Sequence, residues 1–361
     1  MRKNQITVKQ ICALFACLLP LTKIVCAPSV ISSLYEEKLW QPVAVWFILE
    51  LLFIVYVFIL DKMHGGKTYY AVLSDGYGEF FARAVYFVYA IYFALKSYLF
   101  IIEHKLLIET AFYEILPSSP IFYPLFIVAF YTSLKGLKTI GRAAEFCLPV
   151  CWAGLITIFF LTVPSGDWDA LFPLFYGSKN WAIDLLSTIS WFGDSLYLLF
   201  FMGHFKREKR VFLNTAISYA VPTVFTAAFF CCFYAVFTYV APSQRIAIKE
   251  TGIFSVTLQN VGRFDYLAIF LISLAGVLAV SFPIVTSVKL FERAFALENA
   301  TIPAIALNAA LLVATYFFAQ KYNEILAIYR NYFSAFFAVC GFVIPLTALR
   351  RTNENKKLQA G

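Results

Sequence analysis

Long runs of apolar residues recur along this chain of 361 residues, and they constrain its fold more than any other feature. A helix needs about 20 mostly apolar residues to cross the hydrocarbon core of a bilayer. The connectors between the runs leave no room for a soluble domain. We therefore predict an all-α integral membrane protein with about ten transmembrane helices. The predicted spans cover approximately residues 11–34, 43–60, 81–102, 121–134, 146–163, 185–205, 211–240, 266–290, 302–319 and 325–349.

The composition agrees with a chain surrounded by lipid. Hydrophobic residues make up 61% of the sequence and charged residues 14%, whereas soluble domains are about 45–50% apolar and about 25% charged. The net charge is +8. The basic residues lie between apolar runs, which is typical of membrane loops and not of nucleic-acid binding. The eight cysteines form no CxxC or His-spaced group, so we expect no metal site, no disulfide framework and no cofactor.

The positions of Lys and Arg predict the orientation of the chain. With the N-terminus inside the cell and ten spans, the cytoplasmic segments hold more than twice as many of these residues as the external ones. This bias is typical of cytoplasmic loops. We therefore predict a multi-pass protein of the cell (inner) membrane with both termini in the cytoplasm. A single transmembrane domain covers residues 1–361, and residues 350–361 form a cytoplasmic tail.

Two lone charges stand inside the apolar runs, each where a helix is expected to break. Lys23 lies between Pro20 and Pro28 in the first run, and Asp194 follows Gly193 in the sixth. A charge at the centre of a span costs at least about 2.5–3.5 kcal/mol, so it normally faces a cavity or a partner. We therefore expect both side chains to mark a functional site inside the helix bundle.

The two expected breaks lie five spans apart, so the second half of the chain is expected to be inverted relative to the first. Broken helices at matching positions of two inverted halves indicate a transport site near the membrane midplane. The halves cover approximately residues 9–163 and 183–349, with helices 1 and 6 broken. The alternative is that Pro20 and Pro28 only kink a structural helix and that Gly193 only permits close packing.

The residues near the breaks are the candidates for substrate binding. The N-terminus of a half-helix can hold a carboxylate, and freed carbonyl groups can hold a cation. In span three, Tyr89, Tyr92 and Lys96 share one helical face that suits a cavity wall, although Lys96 could instead extend outward to the membrane surface. The predicted substrate-binding residues are Thr22, Lys23, Ile24, Tyr89, Tyr92, Trp191, Gly193 and Asp194.

Ion coupling is predicted to involve Lys23, Asp194 and Lys96. The ammonium group of Lys23 could take the place of the sodium ion of other transporters, or it could pair with Asp194 across the site. Such a pair could titrate during a transport cycle and couple it to protons. The alternative is a static ion pair that fixes helix packing. Glu50 in span two is also expected to be buried, and the sequence assigns it no role.

Three segments of the chain resemble motifs of a known family. Gly136-Leu-Lys-Thr-Ile-Gly141-Arg142-Ala-Ala-Glu145 is similar to the GxxxxGRxxE segment of the spore germination permease family, the B subunits of endospore germinant receptors. Leu171-Phe-Pro173-Leu-Phe-Tyr-Gly177 is similar to its LxPxxxxG segment, and Gly262-Arg263-Phe264-Asp265 to its ERFD-like segment. Pro28 resembles the proline that ends the break in the first helix of the family.

The resemblance implies membership of the amino acid–polyamine–organocation superfamily and a LeuT-like five-plus-five inverted-repeat fold. It implies binding of a small molecule, an amino acid, with germinant receptor A and C subunits as partners in the inner membrane of a spore. Two functions remain open: a permease-like sensor subunit, and an independent proton-coupled transporter of amino acids or related organic solutes. An enzyme is not expected, because no nucleophile–base set or catalytic motif stands out.

Overall fold

The computed structural model describes residues 6–112, 122–172, 180–204, 210–254, 264–346 and 348. Helices form its framework, and their bounds are α1 Val8–Leu21, α2 Ala27–Tyr35, α3 Trp40–Met63, α4 Tyr69–Tyr77, α5 Glu79–Phe112, α6 Pro124–Lys135, α7 Leu137–Thr162, α8 Trp181–Ser187, α9 Tyr197–Phe201, α10 Val211–Phe237, α11 Ala247–Ile253, α12 Phe264–Ala294, α13 Thr301–Phe318 and α14 Tyr322–Leu346. Within α14, two turns have π-helical hydrogen bonding, Tyr329–Phe333 and Val339–Val343.

The helices correspond to the ten predicted spans. Seven of the described helices are long and apolar enough to cross a membrane: α3, α5, α7, α10, α12, α13 and α14. The fourth span is the shorter apolar helix α6. The first and sixth spans are each divided into two half-helices, α1 with α2 and α8 with α9. The protein is therefore a multi-pass membrane protein with a LeuT-like arrangement of broken first and sixth helices.

The break in helix one follows from its two prolines. A capping box between Thr7 and Gln10 starts α1, and Pro20 lies in the last turn of this helix. Proline cannot donate a backbone hydrogen bond inside a helix. Residues 22–26 are not helical, and α2 then begins with Pro28 in its first turn, where the missing donor has no cost.

The break in helix six depends on a glycine. After α8, a 3₁₀ turn covers Ile189–Trp191, and Phe192 is extended. Gly193 then has φ +85°, in the left-handed region that only glycine adopts readily. A second 3₁₀ turn, Asp194–Leu196, leads into α9.

Helices one and six run antiparallel, side by side. Near the start of helix one, the N–H of Ile6 donates to the carbonyl of His204, at 3.3 Å. At the other end, the hydroxyl of Tyr35 donates to the carbonyl of Trp181, at 2.9 Å. We call these two ends the N-terminal face and the opposite face. The opposed directions are those that an inverted repeat requires.

The remaining long helices enclose this pair. Helix α12 packs along α5 and α7, and α1 packs against α10 and α7. Gly141 lies where α7 crosses α1, because a Cβ atom there would be 2.9 Å from Cβ of Gln10. Close helix crossings in membranes generally need such small residues. This crossing gives a physical reason for the second glycine of the GxxxxGRxxE segment.

Several boundaries differ from the sequence predictions. Helix α5 continues to Phe112, so Glu103 and His104 lie inside a helix and not in the predicted connector. Both side chains are buried, which explains why polar residues did not end the helix. Helix α7 begins at Leu137, and residues 137–145 form its first turns, directly after Gly136. Residues 173–177, residues 262–263 and the tail 350–361 lie outside the described residues.

Candidate functional site

Asp194 binds two lysines where the helix breaks meet. Its Oδ2 pairs with Nζ of Lys23, and its Oδ1 pairs with Nζ of Lys96 at 2.7 Å. Nζ of Lys96 also donates to the carbonyl of Phe192, at 2.7 Å, which the break leaves without a helical partner. All three charged side chains are 0% exposed. Lys96 therefore points into the bundle, and the alternative of an outward-extending side chain is wrong.

Glu50 of α3 completes the charged cluster. Its Oε1 accepts the N–H of Gly193 at 2.8 Å, and its Oε2 accepts the N–H of Ser195 at 3.1 Å. These N–H groups open the second half of helix six, where a helix has no internal acceptors and carries partial positive charge. Glu50 also lies close enough to Lys23 and Lys96 to interact with both electrostatically.

The cluster balances its charge inside an apolar bundle. Two ammonium groups, from Lys23 and Lys96, face two carboxylates, from Asp194 and Glu50. The attraction within a buried ion pair largely offsets the cost of removing its charges from water. Removal of one partner leaves an uncompensated charge and typically costs about 3–5 kcal/mol. The four side chains are therefore expected to depend on one another for stability.

Tyr92 and Gly193 fix the shape of the break. A Cβ atom on Gly193 would lie 2.6 Å from the hydroxyl oxygen of Tyr92. The left-handed backbone and this close approach both require glycine. Tyr92 also lines a narrow central cavity of about 20 Å³ beside Glu50 and Ser195. This space holds about one water molecule, so the centre is closed around the cluster.

Thr22, Ile24 and the residues that follow form the wall of the first break. The hydroxyl of Thr22 donates to the carbonyl of Leu18 at 2.9 Å, and Ile24 is 0% exposed. The carbonyl of Val25 accepts the N–H of Ala247, at the start of α11, at 2.7 Å. The N–H groups of Val25 and Cys26 donate to no acceptor in the described ranges. They are therefore free backbone donors at the start of α2.

Trp191 and Tyr89 lie on opposite sides of the charged cluster. The indole Nε1 of Trp191 donates to Oε1 of Glu103 at 2.7 Å, on the side of the opposite face. The hydroxyl of Tyr89 donates to the carbonyl of Cys340 at 2.9 Å, and its ring packs on Phe200 with centroids 4.9 Å apart. Tyr89 therefore holds α5 against α14 and is one layer away from the break.

Five rings separate the cluster from the N-terminal face, and we call them the aromatic layer. Phe200 lies at its centre, with ring centroids 6.0 Å from Tyr69 and 5.7 Å from Tyr86. Below it, a vestibule of about 720 Å³ opens, lined among others by His204 and Arg293. The aromatic layer closes the path from this vestibule to the breaks. Its members are Tyr69, Tyr86, Tyr89, Phe93 and Phe200.

Sequence reasoning missed the roles of Glu50 and Glu103. Glu50 stands alone in a span with a mean hydropathy of 2.8, and that isolation is the signal that could have marked it as functional. Its partners are backbone N–H groups far away in the sequence, which no side-chain pattern reveals. The predicted third span ends one residue before Glu103, so the sequence places Glu103 in a connector.

Comparisons with solved structures agree with the fold described above. Solved structures of the manganese transporter of Eremococcus coleocola are similar to the chain. One, a variant, has a TM-score of 0.57 and 13% identity, and another, bound to an aromatic bis-isothiourea compound, has a TM-score of 0.58 and 12% identity. Each match covers 94% of this chain and 78% of the transporter chain. This similarity supports the fold alone.

No curated protein sequence matches the chain. The family model described as "Spore germination protein" matches residues 5–324. This match includes both helix breaks and all four members of the charged cluster. The chain therefore belongs to the spore germination protein family, and it is a membrane permease-like protein.

Proposed function

We propose that the protein binds a small zwitterionic or cationic solute, an amino acid, as the permease-like subunit of a spore germinant receptor. The observation that carries this proposal is the contact of two antiparallel helix breaks at one buried carboxylate, Asp194. Facing breaks of this kind form the solute sites of inverted-repeat transporters, near the middle of the membrane.

The cluster offers complementary groups to both ends of an amino acid. The ligand ammonium group would replace one lysine at Asp194. The ligand carboxylate would then bind the released ammonium group and the free N–H groups of Val25 and Cys26. The N–H groups of Gly193 and Ser195 are already held by Glu50. The carboxylate is therefore expected on the side of α2, and the ammonium group on the side of helix six.

Ligand entry would require a conformational change. The central cavity of about 20 Å³ is too small for an amino acid. A ligand that binds better to an open state than to this closed state would shift the population toward the open state. Release of Lys23 from Asp194 would link ligand arrival to that shift. A sensor subunit could transmit the same change to receptor A and C subunits.

An organic solute suits the cluster better than a metal ion does. The similar solved structures are manganese transporters, but in this chain two ammonium groups, Lys23 and Lys96, stand at the breaks and would repel a divalent cation. Among the described residues, no three His, Cys, Asp or Glu side chains lie close enough together to hold a metal.

Calorimetric titration of the purified protein with a panel of amino acids tests the proposal. We expect binding by at least one of them, loss of binding in Asp194→Asn, and a changed pH dependence of the affinity in Lys23→Gln. Asp75→Asn is the matched control, because the Asp75 carboxylate pairs with Lys67 on the exposed surface. Absence of binding by every amino acid, or equal affinity in Asp194→Asn, would refute this function.

A second candidate function is independent proton-coupled transport of an amino acid or related solute. The observation that favours it is the cluster of four buried titratable side chains at the breaks, which could release or take up a proton as its contacts change. Uptake of labelled amino acids into proteoliposomes under a pH gradient distinguishes the two functions. Uptake by the protein alone supports transport, whereas binding without uptake and co-purification with A and C subunits support sensing.

A further inference from the structure

Another polar cavity, of about 280 Å³, lies on the opposite face of the bundle. It is bounded by α2, by the 3₁₀ segment Thr238–Ser243 and by the beginning of α14. Tyr322 lines this cavity and lies beside Cys26, the last residue of the first break. The cavity is therefore separate from the charged cluster and one side chain away from the first break.

Two arginines, Arg245 and Arg330, line the cavity. Neither Arg245 nor Arg330 forms an ion pair with any acidic residue in the part of the chain that the structure describes. Glu324, the acidic residue of α14 nearest in sequence to Arg330, pairs with Lys321 at 3.3 Å. Nε of Arg330 is buried and has no hydrogen-bond partner among the described residues. An unmet buried donor is costly, so a ligand acceptor placed at this nitrogen would be favourable.

The position of Arg330 is set by a local change in helix geometry. The turn Tyr329–Phe333 has π-helical hydrogen bonding, which is rare and often found at functional sites. Tyr329 anchors this turn, because its hydroxyl donates to the carbonyl of Leu95 at 2.6 Å. Arg330, the next residue, lines the cavity.

We propose that this cavity is a binding site for the carboxylate of a small organic anion or zwitterion. The planar guanidinium group matches a carboxylate in a two-pronged hydrogen-bonded pair. The hydroxyl groups of Ser29 and Ser33 add polar lining on the side of α2. A volume of about 280 Å³ is near the lower end for ligand pockets, so it suits a molecule of amino-acid size. The further role of this cavity, as an entry site for the germinant, rests on the proposed function.

Binding of trifluoroacetate to the full chain in nanodiscs of zwitterionic lipid tests the site, with fluorine NMR line broadening as the readout. Trifluoroethanol, which lacks the charge, is the comparison probe. We expect trifluoroacetate to bind and trifluoroethanol not to bind. Arg330→Gln and Arg245→Gln should each weaken the affinity for trifluoroacetate about tenfold or more. Arg330→Lys keeps the positive charge but cannot form the two-pronged pair. Its affinity for trifluoroacetate should lie between that of the unaltered protein and that of Arg330→Gln. Lys67→Gln, which removes an exposed lysine far from this cavity, should leave binding unchanged.

Three results would overturn the inference: no binding to the unaltered protein, equal binding after both arginine substitutions, or loss of trifluoroacetate binding when phosphatidylglycerol is added to the zwitterionic nanodisc. The last result would assign the arginines to lipid headgroups. Thermal unfolding of each variant checks that the fold is retained.

If amino acids bind the protein with the same affinity in Arg330→Gln, the entry site fails and the proposed function stands. If trifluoroacetate binds and no amino acid does, the carboxylate site stands, whereas its role as an entry site and the proposed function both fail.

Discussion

The carboxylate of Glu50 accepts the backbone N–H of Gly193 at 2.8 Å and thereby ties α3 to the break in helix six. In a broken-helix transporter, the freed N–H groups of a half-helix are available to a ligand anion. Here a side chain of the protein holds them. Because α3 carries that side chain, any movement of the second half of helix six must move α3 with it or break this contact. The mobile unit of the protein is therefore expected to include α3.

Glu50→Gln should destabilise the protein by about 3–5 kcal/mol, because it leaves Lys23 and Lys96 opposite a single carboxylate inside the bundle. Lys96→Met in the same chain should restore part of this loss, since it returns the cluster to electrical balance. Thermal unfolding of the single and double variants in the same detergent measures the effect. A double variant less stable than Glu50→Gln alone would contradict the charge balance that we describe.

Gly193→Ala should destabilise the protein by at least about 1–2 kcal/mol, the cost of a left-handed backbone for a residue with a Cβ atom. The contact with the Tyr92 hydroxyl adds to this cost. Tyr92→Phe removes that hydroxyl and should relieve the contact. The double variant should therefore lose less stability than the sum of the losses in the two single variants. Gly341→Ala is the matched control, because a Cβ atom there meets no atom within 4 Å. Additive losses of stability would show that the Tyr92 hydroxyl does not add to the cost of a Cβ atom at position 193.

Acid should destabilise the protein partly through His204, which follows the end of α9 and lines the vestibule at the N-terminal face. Burial holds the pKa of His204 below its usual value of about 6.5, and the positive charge of the nearby Arg293 lowers this pKa further. The folded state then binds fewer protons than the unfolded state, so this stabilising contribution is present above about pH 6.5 and is lost as the pH falls. Between pH 7 and pH 5, the midpoint temperature of thermal unfolding should fall less in His204→Gln than in the unaltered protein. An identical pH dependence would exclude this contribution.

The predicted orientation, with both termini in the cytoplasm, indicates which positions should react with reagents outside the cell. In a chain without native cysteines, Cys replacing Ser178 or Ser243 should react with an impermeant thiol reagent from outside. Cys replacing Lys356 should react only after the membrane is permeabilised. Ser178 and Lys356 lie outside the described residues, whereas Ser243 is exposed on the opposite face. The same sidedness for Ser178 and Lys356 would refute an even number of spans with both termini inside.

Local sequence was sufficient to predict the two helix breaks. Pro20, Pro28 and Gly193 act through the backbone of their own segments, so their effect does not depend on distant residues. Helix boundaries were less accurate, as in α5, because Glu103 and His104 find buried partners in Trp191 and the carbonyl of Ser273. Those partners lie far away in the chain, and a polar residue with such a partner can remain inside a span.

The sequence by itself determined that the chain is a membrane protein with broken first and sixth helices, since hydropathy, proline and glycine are properties of single segments. Only the tertiary structure decided how the charges are arranged. The antiparallel packing of helices one and six brings Lys23 to Asp194, α5 adds Lys96, and α3 adds Glu50. The cost of burying an isolated charge requires partners, but which residues become partners depends on how the helices pack in three dimensions.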